Sequence, residues 1–69
     1  MEYVWIARTD PPYEPGRIWG VCRTREEAKA LIENDDFVRK HYLKIAERWN
    51  DQDDESTYLD YVVDRWELD

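Results

Sequence analysis

Cysteine and histidine each occur once in this chain of 69 residues, and glycine occurs twice. A lone Cys22 excludes an intrachain disulfide, and with it a secreted disulfide framework. One cysteine and one histidine, His41, leave no quartet for structural zinc. They also leave no Ser-His-acid set for nucleophilic catalysis. Two glycines leave no Gly-rich loop to cradle a phosphate. No apolar run approaches the ~20 residues that span a bilayer. The residues after Met1 carry neither a basic region nor an apolar h-region, so we expect a cytoplasmic protein without a signal peptide. Bases are also scarce: ten Lys and Arg against seventeen Asp and Glu give −7. Binding nucleic acid through its phosphates needs clustered cations, so direct nucleic-acid binding is not expected. Anionic membranes are disfavoured for the same reason.

Aromatics are plentiful: ten rings, four of them Trp. A chain this short buries only roughly 60% of its unfolded surface, and large rings fill a small core efficiently. They also separate this sequence from acidic disordered chains, which are poor in aromatics. We therefore expect one folded domain over residues 1–69.

The negative charge is segregated. Asn50 to Asp69 holds eight acids and one base, Arg65, whereas residues 1–49 hold nine of each. The same segment contains Tyr58, Leu59, Tyr61, Val62, Val63, Trp66 and Leu68, so it is an apolar element threaded with carboxylates. Asp51, Asp53 and Glu55 alternate like the start of a calcium loop. The pattern then fails, with Ser56 where Gly belongs and Val62 where Glu belongs. Leu59, Val62, Val63 and Trp66 form a helical stripe, but the β-branched and aromatic content favours a strand over 57–68. Trp66 and Leu68 fall out of phase with Leu59, Tyr61 and Val63, so that strand needs a bulge or burial on both faces.

Residues 2–9 read as a strand apolar on both faces, hence central. Residues 10–16 hold all three prolines and form a loop. Residues 17–23 read as a second strand, in which Gly20 signals a bulge or a close approach by a neighbouring backbone or ring. Thr24 and Glu27 form a capping box that opens a helix to about Glu33. Asn34 and Asp35 can stop it and cap a second, amphipathic helix from Asp36 to Trp49 with a basic side. Residues 50–56 read as a polar loop. The expected fold is α+β in the order β-β-α-α-β. Its three-stranded antiparallel sheet has strand order 2-1-3, both helices lie on one face, and the last strand is a charged edge.

Gly20-Val21-Cys22-Arg23-Thr24-Arg25-Glu26-Glu27-Ala28-Lys29-Ala30 and the terminal Trp66-Glu67-Leu68-Asp69 resemble a group of small phage and bacterial domains. That likeness covers about half the chain and describes fold. In size, acidity and one-domain form the chain is also similar to phage-encoded anti-CRISPR proteins, several of which mimic DNA. That second likeness rests on overall character and transfers no residue. It implies a non-enzymatic inhibitor whose carboxylates occupy the basic nucleic-acid groove of a partner, such as a type I CRISPR surveillance complex. The partner-binding residues expected on one exposed acidic face are Asp51, Asp53, Asp54, Glu55, Asp60, Asp64 and Glu67. No catalytic residue, metal or cofactor is expected, and the protein is expected to be a monomer. The plain alternative is that −7 only keeps a small domain soluble. A different class of function is an acidic interaction or assembly module that docks through exposed aromatics such as Tyr13, Trp19 or Trp49. A continuous acidic face would favour mimicry, and an exposed apolar patch would favour docking. An enzyme would need a pocket with a perturbed carboxylate, or Cys22 at its mouth.

Overall fold

The computed structural model describes residues 2–68; Met1 and Asp69, the last of the terminal acids, lie outside them. The strands are β1 (Glu2–Thr9), β2 (Ile18–Cys22), β3 (Asn50–Asp51), β4 (Glu55–Tyr58) and β5 (Tyr61–Leu68). The helices are α1 (Arg25–Glu33) and α2 (Asp36–His41), followed by a 3-10 turn at Ile45–Glu47. All pairings are antiparallel and form one sheet in the order β2-β1-β5-β4-β3. The class is α+β, but the expected three-stranded sheet of order 2-1-3 is replaced by five strands.

Two features of residues 50–68 account for the difference. The apolar run 57–68 is two strands rather than one, split by a two-residue turn at Leu59 and Asp60 between the paired Tyr58 and Tyr61. Leu59 takes a positive φ of 52°, as the first residue of such a turn often must. The stretch read as a loop contains β3 and the start of β4, whose Asn50, Asp51, Glu55, Ser56 and Thr57 carry no hydrophobic alternation. Consequently β5 is interior, flanked by β1 and β4, and is not the edge strand its charges suggested. It is regular throughout its eight-residue pairing with β1, so no bulge reconciles its two phases.

The helix starts follow the sequence. The Thr24 side chain accepts from the Glu27 amide at 3.1 Å, and Asp35 accepts from the Val38 amide at 3.1 Å. The second helix is much shorter than its periodicity suggested. Tyr42 leaves helical geometry, and its ring meets Tyr58 and Tyr61 edge to face. Lys44 then adopts a left-handed backbone, φ 65°. Burying Tyr42 against the sheet outweighs continuing a solvent-exposed helix, whose stability comes mostly from its packed face.

One face of the sheet carries the core. Ala7, Val63 and Tyr61 meet Ala28 and Ile32 of α1, Val38 of α2 and Ile45, with Trp5, Trp19, Cys22, Tyr42, Trp49 and Tyr58 around them. Gly20 lies beneath α1, where a Cβ would come within 2.7 Å of Leu31 Cδ1. A bulge beside it puts two β2 residues opposite one position of β1, between Ala7 and Arg8. The bulge expected at Gly20 is present, but its close neighbour is an aliphatic side chain and not a backbone or a ring.

Candidate functional site

The seven carboxylates expected on one face are divided between both faces and both ends of the sheet. Strand alternation places Glu55 and Asp64, directly opposite each other across β4 and β5, on the face away from the helices. Asp51 pairs in register with Ser56, and Glu67 with Tyr3, on the helix side. Asp53 and Asp54 form the turn between β3 and β4, beside Arg65, whose amide donates to the Asp54 carbonyl at 2.9 Å. Asp60 occupies the opposite hairpin, roughly 17 Å along the strand. The expected single acidic face is therefore absent, because acids at positions 51, 53, 54, 55, 60, 64 and 67 fall in both phases of a pleated chain.

Two of these acids have side-chain partners. Asp64 accepts from the Arg8 guanidinium at 3.4 Å and is mostly buried. Asp51 receives Lys29 Nζ at 2.8 Å and the Ser56 hydroxyl at 2.5 Å. Those two bonds hold the Asp51 carboxyl below its ordinary range, Lys29 first and Ser56 second. Ser56 is fully buried and is satisfied by this contact. The Asp53 turn is clamped from α1, where Arg25 donates to the carbonyls of Gln52 and Asp53 at 2.7 and 2.8 Å. The Arg25 guanidinium also lies 4.5 Å from the centre of the Trp5 ring. This arrangement leaves Asp53 and Asp54 exposed, with no ion pair among the described residues.

The larger feature is the uncovered face of the sheet. Registers place Val4, Ile6, Ile18, Val21, Val62, Trp66 and Leu68 there, with the Arg8–Asp64 pair among them. Among the described residues no helix packs on this side; α1 and α2 feed the opposite core. Trp66 is 53% exposed, Ile18 66%, Val21 60% and Leu68 46%. Single exposed apolar residues are ordinary, but a contiguous set on one face marks an interaction surface. Glu2 and Glu55 share this face, and Asp53 and Asp54 lie at its margin.

Sequence reasoning missed this surface, although its signal was present. Apolar residues in both phases of β1 and β5 mean two apolar faces. Only one of them finds helices to cover it. The aromatics expected to dock behave differently from one another. Tyr13 is exposed, but Trp19 and Trp49 pack against the core. The Trp49 indole donates to Glu33 at 2.8 Å, and Trp19 meets Tyr61 edge to face.

The Cys22 thiol is pushed up by burial and then by the nearby Glu27 carboxylate, which disfavours the nucleophilic thiolate. His41 is exposed. It stacks on Phe37 at 4.1 Å, and its Nδ1 lies 2.9 Å from the Phe37 carbonyl, to which it donates. Among the described residues, no group of three or more His, Cys, Asp or Glu is placed to hold a metal ion. No described helix is long and apolar enough to cross a membrane. The chain matches no protein-family model, no curated protein and no solved structure.

Proposed function

We propose that the protein is a non-enzymatic interaction module that docks through the uncovered face of its sheet. Its partner is a protein whose contact surface is apolar with a basic margin. The observation that carries this reading is the exposed set Ile18, Val21, Trp66 and Leu68 around half-buried Val4 and Ile6. A Trp on a rigid strand is a favourable anchor, because large rings dominate interface energetics. The partner's basic margin follows from complementarity with Glu2, Glu55, Asp53 and Asp54, and from a net charge of −7 that steers encounter.

A second reading, inhibition by nucleic-acid mimicry, has one observation in its favour. Asp53 and Asp54 are exposed acids on a turn that Arg25 holds in place. In this reading the partner's nucleic-acid groove receives that turn. The dispersal of the other five carboxylates favours docking by the sheet face.

The test is capture of a partner on immobilised protein, comparing wild type, Ile18→Ser/Trp66→Ser and Asp53→Asn/Asp54→Asn, each with and without duplex DNA. Docking by the sheet face predicts that the first variant loses the captured protein. The second variant should retain it with a weaker salt dependence, and DNA should not compete. Retention by the first variant, with loss in the second and displacement by DNA, would replace docking with mimicry.

A further inference from the structure

At the hairpin end of the molecule, away from the uncovered face, the chain forms a half-open cleft of about 810 Å³. Its walls include Phe37 of α2, Tyr42 just beyond it, Tyr61 at the start of β5, Leu59 and Asp60 of the turn, and Glu14 of the proline-containing loop. That volume lies within the range of small-molecule sites.

The three rings are tilted against one another. Tyr42 and Tyr61 have centroids 5.6 Å apart at 78°, and Phe37 and Tyr42 are 6.4 Å apart at 56°. Each is fixed from outside the cleft. His41 stacks on Phe37, Tyr58 meets Tyr42, and Trp19 meets Tyr61. Burial first, then Tyr42, Asp35 and Asp60, raise the Tyr61 hydroxyl above its ordinary value, so this ring stays neutral. Among the described residues, no Lys or Arg lines the cleft. Neither Glu14 nor Asp60 has an ion pair among the described residues.

Three rings in mutual contact give the cleft an aromatic wall, and two carboxylates without an ion pair among the described residues add full negative charge. That combination complements a cation with an apolar exterior, and a quaternary ammonium is the chemistry that aromatic cages recognise. An anion would be repelled by Glu14 and Asp60, and a neutral ligand would gain nothing from their charge. We infer that the cleft formed by Phe37, Tyr42, Tyr61, Glu14 and Asp60 binds a methylated ammonium head group. This site is separate from the proposed docking face, so either can fail without the other.

The experiment is an NMR titration of the whole chain with tetramethylammonium, and with tert-butanol as a neutral group of similar shape. Saturable shifts of the Phe37, Tyr42 and Tyr61 ring signals are expected with the cation and not with the alcohol. Glu14→Gln/Asp60→Asn should weaken the cation at least tenfold while leaving signals remote from the cleft in place, because both positions are exposed. Phe37→Leu should weaken it as well. Choline and Nε-trimethyl-lysine then distinguish the source of the head group. Tighter choline points to a free small molecule, and tighter trimethyl-lysine to a modified side chain; both support the site. Equal response to tetramethylammonium and tert-butanol, or unchanged affinity in the charge variant, would overturn it.

Discussion

Arg8 reaches diagonally across β1 and β5 to Asp64, with Nε and one terminal nitrogen each 3.4 Å from a carboxylate oxygen. The pair sits in the middle of the uncovered face, and Asp64 stands directly opposite Glu55 on β4. Like charges in that position destabilise a sheet, and Arg8 offsets them. The same guanidinium lies 3.6 Å from Asp10.

Removing Arg8 therefore leaves Asp64 and Asp10 without their shared cation, with Asp64 still opposite Glu55. We expect Arg8→Leu to lower stability by about 1–2 kcal/mol, between the values for exposed and buried pairs. Asp64→Asn should cost less, because it relieves the repulsion from Glu55. The double variant should recover part of the loss. Urea denaturation of the four proteins measures this, and strictly additive effects would mean that the contact carries no energy.

Asp51 gives a pH-dependent prediction. Its folded-state pKa lies below its unfolded value, so the fold favours the ionised form. The resulting stabilisation is complete above the unfolded carboxylate pKa of about 3.9 and is lost as pH falls through the lower folded value. The Asp51 side chain is 49% exposed, so solvent screening keeps the effect small. In a carboxyl NMR titration, Lys29→Met should raise the Asp51 midpoint toward the ordinary range. An unmoved midpoint would assign the shift to Ser56 instead.

Leu59 occupies left-handed backbone at the tip of the β4–β5 hairpin and is 66% exposed. A side chain branched beyond Cβ gains nothing there, and that conformation costs an L-residue roughly 1–2 kcal/mol. Leu59→Gly should raise stability by about 0.5–1 kcal/mol after the entropy of glycine is counted. A fall in melting temperature would show that Leu59 contributes packing worth more than the strain.

The two faces of the sheet predict unequal costs of truncation. Val63 is fully buried under the helices, whereas Ile6 faces the uncovered side and is only half-buried. Sequence patterning alone assigns Ile6→Ala a cost of roughly 2–5 kcal/mol as a core change. With its face open, we expect about 1 kcal/mol for Ile6→Ala and about 2–3 kcal/mol for Val63→Ala. Equal losses would mean that the open face is covered in solution.

The local chemistry was legible in the chain itself. Thr24 and Asp35 start helices because their side chains satisfy amides that every helix leaves unpaired. The prolines of residues 10–16 end β1, and the mixed phases of β1 mark it as interior. These features depend on neighbours within a few residues. The number of strands, the length of α2 and the fate of the charges depend on partners far along the chain. Tyr42 abandons a helix because Tyr58 and Tyr61 wait on the sheet. Polar β3 and β4 exist because they pair with each other and with β5. Each carboxylate of the terminal segment is placed by strand register: Asp64 on Arg8, Asp51 on Lys29, and Asp53 and Asp54 at the turn held by Arg25. Composition set the charge at −7. Only the fold divided it between faces and left one apolar face bare, because pleating alternates side chains and the short helices cover a single side.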